Sequence, residues 1–116
     1  MTSYDPDCIF CKIVACQIPA KRVHEDEQVM AFHDIHPSAP VHILLVPKVH
    51  LVSMVDVQTE HQALLGHMMV LSARLMHDLG VTRGYRHVIN TGHDGGQEVQ
   101  HLHLHVMGGP RPWAKG

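Results

Sequence analysis

His101-Leu102-His103-Leu104-His105 alternates imidazole with aliphatic side chains over five positions, and Val106-Met107 carries the apolar run onward. A period of two belongs to a β-strand, in which successive side chains point to opposite faces. In that conformation the three imidazoles share one face while Leu102, Leu104 and Val106 are buried on the other. Imidazole is neutral or protonated near pH 7, so three together can attack an electrophile, move a proton, or bind a phosphate or a metal ion. With 13 histidines in 116 residues, some clustering is expected. A lone strand histidine is most often a hydrogen-bonded structural residue, and two or three rings on one ion are a further alternative. Strict alternation bracketed by Gly95-Gly96 and Gly108-Gly109 favours a reactive site. Cys8-x-x-Cys11 is the other chemically suggestive group. Three cysteines cannot all pair within one chain, and this spacing in a reducing compartment suggests a metal site rather than a disulfide.

These residues need elements to hold them. Val29 to Phe32 and Val41 to Val46 read as strands, the second almost continuously apolar and closed by Pro47, with the turn-rich His36-Pro37-Ser38-Ala39-Pro40 between them. Thr59 to Leu79 reads as one long helix. Thr59 can cap it, Leu64, Leu65, Met68, Leu71, Leu75 and Leu79 form its apolar stripe, and Gly80 ends it. Met68, Met69 and Met76 read as adaptable packing. Tyr85 to Asn90 forms another strand, a glycine loop follows, and His101 to Met107 completes an antiparallel meander. An α+β class follows, with few strands and one dominant helix. No repeat, low-complexity stretch or long linker divides the chain, so residues 1–116 are expected as a single domain, flexible over 1–7 and with a tail over 108–116.

Composition removes several function classes. A formal charge of -2 without a Lys/Arg run argues against nucleic acid as a partner, so any phosphate is gripped locally. No apolar run approaches the roughly 20 residues of a membrane helix. The polar start Met1 to Asp7 lacks a signal-peptide core, and a cytoplasmic location without membrane contact is expected.

His-Leu-His-Leu-His-Val-Met matches the His-x-His-x-His-x-x signature of the histidine-triad (HIT) nucleotide-binding superfamily. The match extends through Phe32-His33-Asp34-Ile35-His36-Pro37, Ala39 to Lys48, Asn90-Thr91-Gly92 and Gly95-Gly96-Gln97, so the resemblance runs from about Cys8 to Trp113. The chain resembles the compact nucleoside phosphoramidate hydrolases, in their zinc-containing bacterial form. The fold this implies is an antiparallel sheet of five strands with one long helix and a short N-terminal helix, the sheet continuing across a homodimer.

The resemblance also assigns roles. His103, the central ring, becomes the nucleophile on an α-phosphorus, provided an acceptor such as a backbone carbonyl holds its Nδ1-H. His105 donates to a phosphate oxygen or helps protonate the leaving group, and His42 backs the nucleophile. Ile9, Phe10, Ile13, Phe32 and Ile35 match a base-stacking pocket, with Asp34 accepting from ribose hydroxyls. Asn90 and the Gly95, Gly96, Gln97, Glu98, Val99 segment offer donors to the phosphate. Cys8, Cys11, His50 and His101 resemble a structural Zn2+ site. The implied ligand is a purine nucleotide such as AMP. A dinucleoside polyphosphate hydrolase or phosphorylase using the same nucleophile remains an alternative, as does a zinc-stabilised nucleotide-binding interaction protein. Glu98 departs from the serine of some members, Gln100 from a frequent aromatic, and Cys16 from a frequent glycine. Trp113 resembles a residue that reaches the partner's site, on a shortened spacing.

Overall fold

Strands β1 (Arg22–Glu25), β2 (Val29–His33), β3 (Val41–Pro47), β4 (Tyr85–Val88) and β5 (Leu104–Gly108) pair into one antiparallel sheet in the order β1-β2-β3-β5-β4. They are seen in a computed structural model that describes residues 4–113. Two helices flank the sheet, α1 (Ile9–Val14) and α2 (Gln62–Asp78). Side-chain alternation decides which face each residue serves. Val29, Ala31, Ile43, Leu45, Leu104 and Val106 point to one face and pack under Leu64, Met68, Leu71, Leu75 and Met76 of α2. Met30, Phe32, Leu44 and Val46 point to the other face and meet Phe10, Cys11 and Ile13 of α1. The imidazoles of His42 and His105 fall on this second face.

The triad segment keeps the expected alternation, but pairing begins later than its period suggests. Leu102 joins Leu104 and Val106 in the α2-side core, yet β5 starts at Leu104. The last register pair is Leu45 with Leu104, and β3 ends at Pro47. Ahead of it the chain turns away, and Leu102 N–H donates to the Leu51 carbonyl at 2.7 Å instead. The expected meander also needs correction: β5 inserts between β3 and β4, leaving β4 at the sheet edge. β4 stops at Val88 rather than Asn90, and β1 carries no alternation strong enough to announce itself.

Thr59 does not cap the long helix. Thr59–His61 forms a 3-10 turn in which His61 Nδ1 accepts from Gln58 N–H at 2.8 Å, and α2 begins one residue later. Gly80 follows its C-terminus as expected. Of the expected flexible start, residues 4–7 form a turn in which Asp5 accepts from Cys8 N–H, and residues 1–3 lie outside the described residues. The tail begins after Gly108, which closes β5; its residues 114–116 also lie outside the described residues. Trp113 folds back, its indole N–H donating to the Gly109 carbonyl at 3.1 Å. Cys16 has φ of 65°, in the left-handed region where glycine is unstrained. No helix among the described residues is long and apolar enough to cross a membrane.

Candidate active site and metal centre

The α1 face of the sheet carries both sites. The backbone that brings the triad off Leu51 and into β5 sets His101 beneath α1, His103 beside it and His105 on the strand. Phe10 of α1 meets these rings edge-on, 5.9 Å from His101 and 5.1 Å from His103 between centroids. A shared aromatic wall thus separates a candidate metal-binding cluster from a cleft.

Hydrogen bonds assign the two cleft imidazoles opposite tautomers. His103 Nδ1 lies 2.7 Å from the His101 carbonyl oxygen, which can only accept, so Nδ1 carries the proton and Nε2 of the neutral ring keeps its lone pair. Ser38 N–H donates to His42 Nδ1 at 3.0 Å, so in neutral His42 the proton sits on Nε2. That Nε2–H faces His105 Nδ1 at 2.9 Å, with Asp34 Oδ2 at 3.4 Å. His105 Nδ1 therefore accepts, and its own proton lies on Nε2. Burial lowers the pKa of His42, with Asp34 opposing. Burial, with His103 and His42 adding, pushes His105 down to about 4. Both rings are neutral at pH 7. The pair offers one bare nitrogen and one N–H. His42 was expected to back the nucleophile; the ring it touches is His105.

His103 and His105 floor a cleft of about 430 Å³. Ile9, Phe10, Ile13 and Phe32 form its apolar wall, as expected, together with Ile18, Pro19, Ala20 and Leu44, which sequence reasoning missed. Leu44 had a signal, since it shares the face of His42 two residues earlier; the Ile18-Pro19-Ala20 turn had none. Ile35 stands at the rim, 84% exposed. Asp34 lies beside it, with Oδ1 accepting from His36 N–H at 2.8 Å. His33 and His36 also line the cleft. Asn90, Gly96, Glu98 and Val99 line it as well.

Gln97 does not join them. Its amide braces the loop, with Nε2 donating to the Val52 and Val99 carbonyls and Oε1 accepting from Gly92 N–H. The loop closes tightly: Gly96 N–H donates to His93 O and Gln97 N–H to Gly92 O. Gly96 has φ of 76°, and a Cβ on Gly95 would meet the Thr91 carbonyl oxygen at 2.3 Å, so the turn needs both glycines. Among the described residues, the N–H groups of Glu98 and Val99 have no intramolecular acceptor, which leaves them as donors for an anion.

On the other side of Phe10, Cys8, Cys11, His50 and His101 bring one ligand atom each within 4.8 Å of one another. Cys8 Sγ lies 3.2 Å and Cys11 Sγ 3.6 Å from His101 Nδ1. Cys11 Sγ lies 3.3 Å from His50 Nδ1, and the two Nδ1 atoms are 3.1 Å apart. A tetrahedron with metal bonds of about 2.0–2.3 Å has edges of about 3.3–3.8 Å. The donor set therefore fits a tetrahedral ion. His101 Nε2–H donates to the Pro47 carbonyl at 2.8 Å, which aims Nδ1 at the cluster. Burial drives His101 down to about 4 and raises the Cys11 thiol to about 11.

A family model described as "Scavenger mRNA decapping enzyme C-term binding" matches residues 7–114, and close relatives bear the triad's name. The chain belongs to the histidine triad (HIT) family. Protein HitA of Neisseria gonorrhoeae is 52% identical over 104 residues, covering 90% of this HIT chain and 97% of the relative. The purine nucleoside phosphoramidase of Escherichia coli (strain K12) is 42% identical over 104 residues, covering 89% and 87%. A histidine triad protein from Clostridium difficile superposes with TM-score 0.89 at 42% identity, covering 93% and 95%. A HIT family hydrolase from Legionella pneumophila gives TM-score 0.88 at 42% identity, covering 90% and 95%. The five-stranded sheet and two helices are thus the fold of HIT-family hydrolases.

Proposed function

We propose that this HIT protein hydrolyses purine nucleoside 5'-phosphoramidates through a nucleotidyl-His103 intermediate. The observation that carries the reading is the opposed tautomers of His103 and His105. The base stacks on the wall of Ile9, Phe10, Ile13 and Phe32, and Asp34 accepts from the ribose. Asn90 and the Glu98 and Val99 N–H groups hold the phosphate oxygens. His103 Nε2 attacks phosphorus and forms a P–N bond, while the bond to the leaving amine breaks. The amine takes that bond's electron pair and a proton from solvent water, while His105 Nε2–H donates to a phosphoryl oxygen and stabilises the charge that builds there. Water then attacks phosphorus, releases one proton to solvent, and frees His103 and the nucleoside monophosphate. The E. coli relative named a purine nucleoside phosphoramidase supports this choice of substrate.

Cys8, Cys11, His50 and His101 would hold one structural Zn2+, which supplies folding stability when bound. A homodimer extending the sheet at the free edge of β4, and a cytoplasmic location, complete the reading. Wild type and His103→Ala compared on adenosine 5'-phosphoramidate test it, with acid-quenched mass spectrometry for the adduct. Loss of turnover and adduct is expected. Equal turnover would overturn the enzymatic account, and AMP binding without turnover in wild type would favour a binding module.

A further inference from the structure

We infer that Glu98 selects the charge of the leaving group: the cleft takes amines that are cationic or neutral beyond the scissile bond and discriminates against those carrying carboxylate or further phosphate. This inference rests on the phosphoramidate reading. The titratable side chains lining the cleft are Asp34, Glu98 and the four imidazoles of His33, His36, His103 and His105. No lysine or arginine is among them. Of the basic residues, Arg22 and Lys48 pair with Glu25, Arg74 reaches His24, Arg86 lies over the Trp113 ring, Arg83 and Arg111 line a separate groove, and Lys12 and Lys21 stand outside the cleft lining. A site built for a polyphosphate tail needs fixed cations around its oxygens. This cleft offers carboxylates instead.

The two carboxylates are not equivalent. Asp34 is engaged by His36 N–H and His42. Among the described residues, Glu98 makes no hydrogen bond or ion pair, so its charge is free for a ligand. The strand order places it on the right side. Asp34, just past β2, and Asn90, just past β4, lie on opposite sides of the β5 strand that carries His105. A nucleoside on the α1 and β2 side, with phosphorus at His103, sends the leaving group towards the β4–β5 connection, where Glu98 stands. In the bond-breaking step the amine leaves with the P–N electron pair and a proton from solvent water. Glu98 exchanges neither; it acts on the charge of the rest of the leaving group.

The test uses two adenosine 5'-phosphoramidates with the same alkyl linker, one ending in an ammonium and the other in a carboxylate. Wild type is expected to favour the ammonium substrate by about tenfold in kcat/KM, the scale of one screened charge contact. Glu98→Gln should bring the ratio near one, and Glu98→Lys should invert it. Because each ratio is taken within one preparation, partial unfolding of a variant cancels. A wild-type ratio near one, or a Glu98→Gln ratio equal to wild type, overturns the role of Glu98 and leaves the hydrolase standing. Wild type turning over neither substrate overturns the hydrolase, and the inference with it.

Discussion

Ser38, through its peptide N–H, reaches His105 by way of His42, and each link in that line has one direction of proton donation. An N–H cannot accept, so His42 must, and the polarity passes on to the cleft. His42 is therefore a positioning residue. His42→Ala should lower kcat by about a hundredfold, the usual worth of one positioned acid–base partner, with KM little changed. His42→Gln can accept from Ser38 through its carbonyl and donate to His105 through its amide, so it should recover much of that loss. Equal kcat for the two variants would count against the polarity argument. His105 makes a second prediction, about pH. Its pKa falls from 6.5 to about 4 on folding, chiefly through burial, so the unfolded chain binds more protons in that window. The stability it contributes is complete above about pH 6.5 and is lost as pH falls towards 4. Melting temperature should drop over that interval, and drop less in His105→Gln. Alternation alone placed these rings on one face. What alternation could not supply was the tautomer, because its source is backbone at Ser38 and His101, which no side-chain pattern encodes.

Elements convert that pattern into a site with varying legibility. Strands β2 and β3 and helix α2 declared themselves because each buries a full face and repeats its period often enough to be read. Boundaries failed where the chain left its partner: β5 starts at Leu104 because the preceding backbone turns from β3 to Leu51, whose carbonyl accepts from Leu102 N–H, a fact about a segment about fifty residues away. Strand β1 is half-exposed and short, and its pairing with β2 alone makes it a strand. The glycine loop was legible as a loop but not in its wiring, where Gln97 serves as an internal brace rather than a ligand contact. That wiring is testable. Gly95→Ala would drive a Cβ into Thr91 backbone, so the loop must open and the Glu98 and Val99 N–H groups shift. A fall in kcat/KM of about tenfold or more is expected, with a loss of stability of about 1–3 kcal/mol by thermal melting. Unchanged kinetics in a folded variant would show that those N–H groups hold no phosphate.

At the scale of the molecule, the metal cluster gathers α1, the segment after β3 and the start of the triad segment into one small volume. Sequence could offer the Cys8-x-x-Cys11 pair; His50 and His101 entered through family resemblance, since partners 39 and 90 residues from Cys11 in the chain leave no local trace. Protein purified without chelator should carry close to one zinc per chain by elemental analysis, and a value near zero would remove the zinc reading. Cys11→Ser should cost on the order of several kcal/mol of stability and lower the melting temperature, and prolonged chelation of wild type should reproduce much of that loss. Residue 101 sits on both sides of Phe10 at once: its ring belongs to the cluster, and its carbonyl holds the Nδ1 proton of His103. Because that acceptor is main chain, no point mutation can delete it, so the orientation of His103 is robust to substitution at position 101 itself. It is vulnerable instead to whatever displaces the peptide, and loss of the proposed metal would do so from outside the cleft. On the proposed reading, zinc occupancy should therefore register as a change in turnover number before the fold is lost, which would make turnover a readout of metal supply.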